Sequence, residues 1–345
     1  MTHFFDLSFK MTTVLTDFKP IILSALDTLR LGEMSRGEKF KSIAYKKAID
    51  ALKRHDGPVY SADHIKDLPG IGKKIFEKIV EITQTGALQA AERMKETTNV
   101  GAMEILLNIH GIGPVKAKDL IGKGIRTIAD LRAALAADPD LLNETQQTGL
   151  FYYEDGIQRI PRAEMIVHEE VLMTFLNKDL NGTIVGSYRR GAKDSGDIDM
   201  LITYGGRVTE KKAQTLFQEY VEKLTEKGYV ISKLVSGAKK WMGYVRLGSD
   251  GVARRLDLLL TPPKEFAYAL LYFTGSDRFN VAFRKHCLDL GYTLNEHIMK
   301  ITEKGLSKGV KEVPPMASEE DIFAFVGLRF VGPTERLNGS LVVPV

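Results

Sequence analysis

Asp197 and Asp199 stand two residues apart in Gly196-Asp197-Ile198-Asp199-Met200-Leu201. On a strand, residues two apart share a face, so both carboxylates point the same way. Such a pair repels itself unless a cation lies between the groups, and hard oxygen ligands suit Mg²⁺. Ten residues upstream, Gly186-Ser187 precedes an expected helix start, where backbone N–H groups and the Ser187 hydroxyl can hold phosphates. Arg190 can grip a phosphate through two parallel hydrogen bonds. A third acid, Asp257, sits alone in the apolar run Arg255-Leu256-Asp257-Leu258-Leu259-Leu260. Buried there, it costs several kcal/mol without a metal or partner. Three such acids can hold two Mg²⁺ ions, one activating a hydroxyl nucleophile and one stabilising a departing pyrophosphate.

These residues need a sheet to carry them. Thr183–Val185, Asp197–Thr203, Tyr229–Ile231, Trp241–Leu247 and Arg255–Thr261 read as strands, with helices at 162–178 and 209–227 between them. Beyond Pro262 the pattern mixes helices at 265–273 and 277–290 with short strands, and the last ten residues read as a loose tail. Ahead of the strands the chain reads as helical. Ile22, Leu26 and Leu29 recur at helical spacing, as do Ile43, Ala44, Ala48, Ile49 and Leu52. The first 20 residues show no period.

One motif occurs twice, 41 residues apart: Leu68-Pro69-Gly70-Ile71-Gly72-Lys73-Lys74 and Ile109-His110-Gly111-Ile112-Gly113-Pro114-Val115-Lys116. In each, Gly-x-Gly opens a helix whose free N–H groups can face a phosphate, and lysines follow. From Arg30 to Glu96 there are 14 Lys/Arg and 10 Asp/Glu, while the remainder holds 34 of each, so the whole net charge of +4 sits in this helical region. That placement suits a polyanion, although a solvated helix face has the same composition. A single cysteine, Cys287, excludes an intrachain disulfide and points to a reducing compartment. No apolar run reaches the roughly 18 residues of a membrane span, so no membrane association is expected. The aromatic stretch Phe4–Phe9 lacks the basic flank and cleavage site of a signal peptide.

The doubled motif resembles the helix-hairpin-helix, and Gly186-Ser187 with Gly196-Asp197-Ile198-Asp199 resembles the nucleotidyltransferase superfamily. Tyr272-Phe273-Thr274-Gly275-Ser276-Asp277 with Asn280 and Arg284 narrows the resemblance to the family X DNA polymerases, of the polymerase beta type, over about residues 20 to 330. That resemblance implies an α+β protein. Residues 1–20 would be an extension and 21–96 a helical lyase domain with the first helix-hairpin-helix. Residues 97–158 would be a helical DNA-binding subdomain with the second, 159–261 a catalytic palm, 262–335 a small α/β nucleotide-binding subdomain and 336–345 a tail. It implies that Asp197, Asp199 and Asp257 ligate two Mg²⁺ ions, which Mn²⁺ can replace, with Arg255 orienting Asp257. Ser187, Arg190, Gly196 and Arg159 would contact the incoming triphosphate. Tyr272, Phe273 and Gly275 would face its sugar, across a cis Gly275–Ser276 peptide, and Asp277 would pack on its base. Asn280 and Arg284 would reach the minor groove, and Lys240 the template backbone.

In the lyase domain the resemblance implies Lys78 as a Schiff-base nucleophile, with Lys41, Tyr45 and Lys74 around the 5′-phosphate. Lys74 and Lys78 are four apart and share a helix face. At the hairpins it implies Na⁺ or K⁺ bound by the carbonyls of Lys66, Leu68 and Ile71 and of Leu107, Ile109 and Ile112, with Gly70, Gly72, Gly111 and Gly113 against the DNA. The expected partners are gapped or nicked DNA with a 5′-phosphate and deoxynucleoside triphosphates, and the expected state is a monomer. A nuclear setting in a eukaryotic cell is favoured, with the mitochondrion or a virus as alternatives. Three positions depart from the pattern: Val281 replaces a basic residue near the template, Ala90 a reserve lysine, and Phe40 a histidine of the lyase pocket. Template-independent terminal transfer is the main rival, but that branch carries a longer insertion than Val235-Ser236-Gly237-Ala238-Lys239. A non-catalytic DNA-binding scaffold would be expected to have lost one of the three acids.

Overall fold

Residues 15–344 are described by a computed structural model. Apolar residues at helical spacing build α1 (Lys19–Arg36) and α2 (Lys39–Arg54), which bury Ile22, Leu26, Leu29, Ala48, Ile49 and Leu52. Pro20 lies in the first turn of α1, where a missing N–H is harmless, so the helix begins at Lys19, inside the stretch 1–20 expected as an extension. Residues 1–14 and 345 lie outside the described part. The first Gly-x-Gly runs into α3 (Lys73–Thr85), followed by α4 (Gln89–Thr97) and α5 (Val100–Leu107). The chain divides after Glu104 into two units.

The second unit continues through α6 (Pro114–Gly122), α7 (Ile128–Ala137), α8 (Glu144–Phe151) and α9 (Tyr153–Gly156). Next come β1 (Ile160–Pro161), α10 (Arg162–Phe175), β2 (Leu180–Ile184), α11 (Gly186–Arg189), β3 (Asp194–Ser195) and β4 (Ile198–Tyr204). Then follow α12 (Glu210–Glu226), β5 (Val230–Ser236), β6 (Lys240–Val245) and β7 (Arg254–Leu260). The chain closes with α13 (Pro263–Thr274), α14 (Asp277–Leu290), the β8 (Tyr292–Leu294)–β9 (Met299–Ile301) hairpin, α15 (Glu303–Lys308) and α16 (Glu319–Phe325). The fold is α+β, as expected.

Five strands form one mixed sheet in the order β2-β4-β7-β6-β5, with β4 and β7 parallel and the other pairs antiparallel. Alternation in β7 sends Leu256, Leu258 and Leu260 into a core shared with Leu172 of α10 and Phe217 of α12. Arg255 and Asp257 therefore emerge on the other face. Every expected strand exists, with ends displaced by a few residues. A second core under α13, α14 and α16 packs Phe279, Phe283 and Phe323 together. Cys287 is buried there as a free thiol, pushed up to about 12 by that burial. Residues 336–344, part of the expected tail, are not loose. Arg336 is 0% exposed, Leu341 and Val342 pack on this core, and Pro344 bridges to Leu328.

His168 of α10 is fully buried, with Nδ1 2.7 Å from the Tyr229 hydroxyl and Nε2 3.5 Å from Glu164, which also pairs with Arg254. Burial pushes the imidazole down to about 4. The unfolded chain therefore binds a proton that the folded unit refuses, so stability must fall as pH drops from about 6.5 towards 4, by on the order of 3 kcal/mol at most. Glu164 acts in the same direction: burial raises its carboxyl, Arg254 outweighs that, and it ends below its ordinary range. Urea unfolding of His168→Leu from pH 7 to 4 should show a flatter slope than the native chain. An unchanged slope would place the acid sensitivity elsewhere.

Candidate functional site

β4 and β7 run parallel in a register that sets Asp199 opposite Asp257. Strand pairing, not side-chain chemistry, thus fixes the two acids side by side at one end of the sheet. Burial pushes Asp199 up to about 6, with the Asp257 charge adding to the shift, and burial likewise raises Asp257 against the pull of Arg255 and Lys240. Asp257 Oδ1 is buried without a hydrogen-bond partner, and Arg255 Nε, also unpartnered, lies 3.6 Å from it. Asp197 sits in the bend just before β4, and its carboxylate accepts a hydrogen bond from Arg255 Nη2. Among the described residues, no three His, Cys, Asp or Glu side chains converge as they stand on a point where a metal could bind. Two of the three acids are paired, while the third is held by the arginine expected to orient its neighbour. The residues nonetheless fit a divalent cation. They are all-oxygen donors, they repel one another, and one buried oxygen is unsatisfied.

Gly186 follows β2 with φ +63°, and a Cβ there would lie 3.1 Å from an Asp199 carboxylate oxygen. The turn into α11 thus needs glycine both for its backbone and for the approach of the acid. Ser187 Oγ donates to Ser195 Oγ at 3.0 Å. Arg190 donates to the Thr274 carbonyl at 2.5 Å, and burial lowers its guanidinium from the ordinary range. Gly186, Arg190, Asp199, Tyr272, Phe273, Gly275, Asp277, Asn280, Val281 and Arg284 line one cavity of about 790 Å³. The Gly275–Ser276 peptide is cis, and Asn280 Nδ2 donates to the Tyr272 carbonyl at 2.7 Å. Arg159 stands outside that cavity and is held by Asp194 at 2.7 Å beside Gly196. Lys240 is exposed at the start of β6.

A second cavity of about 400 Å³ lies between the second hairpin loop (Leu107, Ile109, Gly111, Ile112) and Gly196 and Asp197 of the bend before β4, with Arg255 of β7. His110 also lines it; burial, then the Arg255 charge, lowers its imidazole. Gly70 and Gly111 have φ of +92° and +84°, which fixes the two loops in the same left-handed turn, and Gly72 and Gly113 cap the helices that follow. In the first unit Lys78 is half-buried on α3 and donates to the Lys74 carbonyl at 3.5 Å. Lys41 lies 3.7 Å from Glu33, a buried carboxylate of α1. Burial, with the Glu33 charge second, raises the Tyr45 hydroxyl. Phe40 is 89% exposed in the first turn of α2.

The local sequence pattern did not single out Asp194, Thr274, Glu319 or Arg336. Asp194 borders the aspartate motif and was within reach of a closer reading. The others are far apart in sequence, and only folding joins them.

Comparison with known proteins accounts for nearly the whole chain. Residues 159–263 match the DNA polymerase beta palm and 269–337 the DNA polymerase beta thumb. Residues 18–88 match a helix-hairpin-helix domain and 104–156 the fingers domain of DNA polymerase lambda. DNA polymerase lambda of Rattus norvegicus is 33% identical over 335 residues, 93% of this chain and 56% of that protein. The chain belongs to the family X DNA polymerases. Two further relatives match at lower identity: DNA polymerase lambda of Arabidopsis thaliana at 29% (87% of this chain, 58% of that protein), and DNA nucleotidylexotransferase of Gallus gallus at 28% (85% and 62%). The chain therefore spans somewhat over half the length of these relatives. The palm, thumb and fingers fall on the second unit, and the helix-hairpin-helix match on the first.

Proposed function

We propose that this chain is a template-directed DNA polymerase that fills short gaps in base excision repair and removes a 5′-deoxyribose phosphate through a lysine Schiff base. The observation that carries the reading is the Asp199–Asp257 pair, set by strand register beside a cavity lined by Arg190 and the Tyr272–Asp277 turn. Asp197, Asp199 and Asp257 would hold two Mg²⁺ ions, or Mn²⁺ in their place. When bound, these supply charge stabilisation to the transferring phosphoryl group and acidify the primer hydroxyl. The protein's own residues do the rest. Asp257 Oδ1 receives the proton of the primer 3′-hydroxyl, and Arg255 keeps that carboxylate in place. Arg190, Ser187, Gly196 and Arg159 bind the triphosphate, and the backbone at Tyr272–Gly275 excludes a 2′-hydroxyl. Asp277 packs on the base, Asn280 and Arg284 reach the new pair, and Lys240 holds the template.

In residues 21–96, Lys78 attacks the sugar aldehyde while Lys41, Tyr45 and Lys74 hold the 5′-phosphate. The carbonyls of Lys66, Leu68 and Ile71, and of Leu107, Ile109 and Ile112, would hold Na⁺ or K⁺, which would supply positive charge towards the phosphates of the DNA. Residues 97–158, 159–261 and 262–335 act as DNA-binding, catalytic and nucleotide-binding parts. The protein works as a monomer in the nucleus. The β5–β6 turn is tight, with Gly237 N donating to the Lys240 carbonyl at 2.8 Å, which favours templated synthesis over terminal transfer.

Extension of a one-nucleotide gap bearing a 5′-phosphate, compared with an open primer–template, tests the reading. Two DNA-binding parts on one chain should favour the gap by roughly tenfold or more in catalytic efficiency. Equal use of both substrates would remove the gap-filling role, and addition independent of the template base would establish terminal transfer instead.

A further inference from the structure

We infer that Glu319 and Arg336, together with Arg189, form a buried ionic latch that positions the Thr274–Ser276 turn and Arg190, which makes the segment beyond α16 a working part of the nucleotide site. The inference rests on the reading that the cavity lined by Arg190, Gly275 and Asp277 takes the incoming nucleotide.

Arg336 and Glu319 are 0% and 3% exposed. A charge so deeply buried is tolerated only when paired and hydrogen-bonded on several sides. Glu319 accepts from Arg336 Nη1 at 2.5 Å and from Arg189 Nη2 at 2.7 Å and Nη1 at 3.2 Å. Arg336 Nε donates to the Val331 carbonyl at 2.9 Å, and its guanidinium lies 5.4–5.6 Å from the ring centres of Phe279, Phe323 and Phe330. One carboxylate thus joins Arg189, which holds it through both ends of its rigid guanidinium fork, to Arg336, which holds it through Nη1 while its Nη2 is buried without a hydrogen-bond partner among the described residues.

Both ends of the latch reach the same turn. On one side, Arg189 Nη1 donates to Thr274 Oγ1 at 2.7 Å, while its neighbour Arg190 donates to the Thr274 carbonyl. On the other, Ser276 N donates to the Arg336 carbonyl at 3.1 Å, and Ser276 Oγ to the Leu337 carbonyl at 3.0 Å. Gly275, which lines the cavity, is held between them. A buried ion pair stabilises a fold no better than apolar side chains of the same size. What this one adds is a fixed geometry, placed where the Thr274–Ser276 turn of the cavity wall is held from behind by Arg189 and Arg190 on one side and the Arg336 and Leu337 carbonyls on the other. Glu319, Arg336 and Arg189 are positioning residues, since none of them lines the cavity.

The test uses the full chain with Arg336→Met, Glu319→Gln and Arg336→Lys. Gap filling is measured for KM and kcat. The thermal upshift caused by a deoxynucleoside triphosphate on dideoxy-terminated gapped DNA provides a second readout. Arg336→Met and Glu319→Gln should raise the nucleotide KM by about tenfold or more, with kcat within a fewfold, because binding of ground and transition states is lost alike. Their upshift should shrink, while gapped-DNA affinity and borohydride trapping stay native. Arg336→Lys, which keeps the charge without the fork, should fall between. Should Arg336→Met fail to fold, Glu319→Gln decides, because it keeps shape and volume. Native KM and upshift in a folded Glu319→Gln would overturn the latch, as would a loss of DNA binding in step with melting temperature. A native chain that extends no primer would refute the polymerase reading instead.

Discussion

Asp257→Ala should lower nucleotide addition on gapped DNA by about a thousandfold or more while gapped-DNA affinity stays native. The estimate follows from the several kcal/mol that metal-held carboxylates contribute to a phosphoryl transfer, at 1.36 kcal/mol per factor of ten. Two features make the outcome diagnostic. First, Asp257 is one of two acids that strand register holds together, and each is pushed above its ordinary range by burial. Carboxylates with raised values weaken the fold when ionised at neutral pH and cease to do so once protonated. Removing one should therefore leave the metal-free protein at least as stable as before. A loss of activity would then be chemical, not a failure to fold. Second, the upshift in melting temperature caused by Mg²⁺ or Mn²⁺ should vanish in the variant. Near-native extension in Asp257→Ala would sink the assignment of this acid.

Lys78→Ala should separate two activities. Borohydride trapping of the chain on a 5′-deoxyribose-phosphate substrate should fall by on the order of a hundredfold or more, as expected when a nucleophile is deleted. Gap filling should continue. Lys78 is half-buried on α3 and tied to the Lys74 carbonyl, so the substitution removes an amine without opening a core. Undiminished trapping would move the role of nucleophile to Lys41 or Lys74. The two are told apart by position, since Lys41 shares α2 with Tyr45 and Lys74 opens α3 beside Lys78.

Much of the site is local in the chain and was legible for that reason. Gly186-Ser187 and Asp197-x-Asp199 are short local motifs, Asp257 stood out as a lone acid in an apolar run, and Tyr272–Asp277 was readable through its resemblance to the family. The two Gly-x-Gly loops could be read because a left-handed turn before a helix demands glycine. These patterns also specified the α+β class and the order of helices and strands.

Tertiary structure decided what sequence distance hides. That Asp199 meets Asp257 depends on β7 pairing parallel to β4, and no spacing between residues 58 apart encodes a register. The pairing of Asp197 with Arg255, 58 residues away in sequence, is likewise visible only in the folded chain. The end of the chain shows the limit most clearly. Its glycines and prolines look like a tail, and an arginine there reads as a solvated charge. Burial of Arg336 becomes favourable only because folding brings Glu319, a backbone carbonyl and three aromatic rings around it. Composition specifies which groups a chain can bury, but the partners that make burial of a charge affordable exist only once the fold has formed.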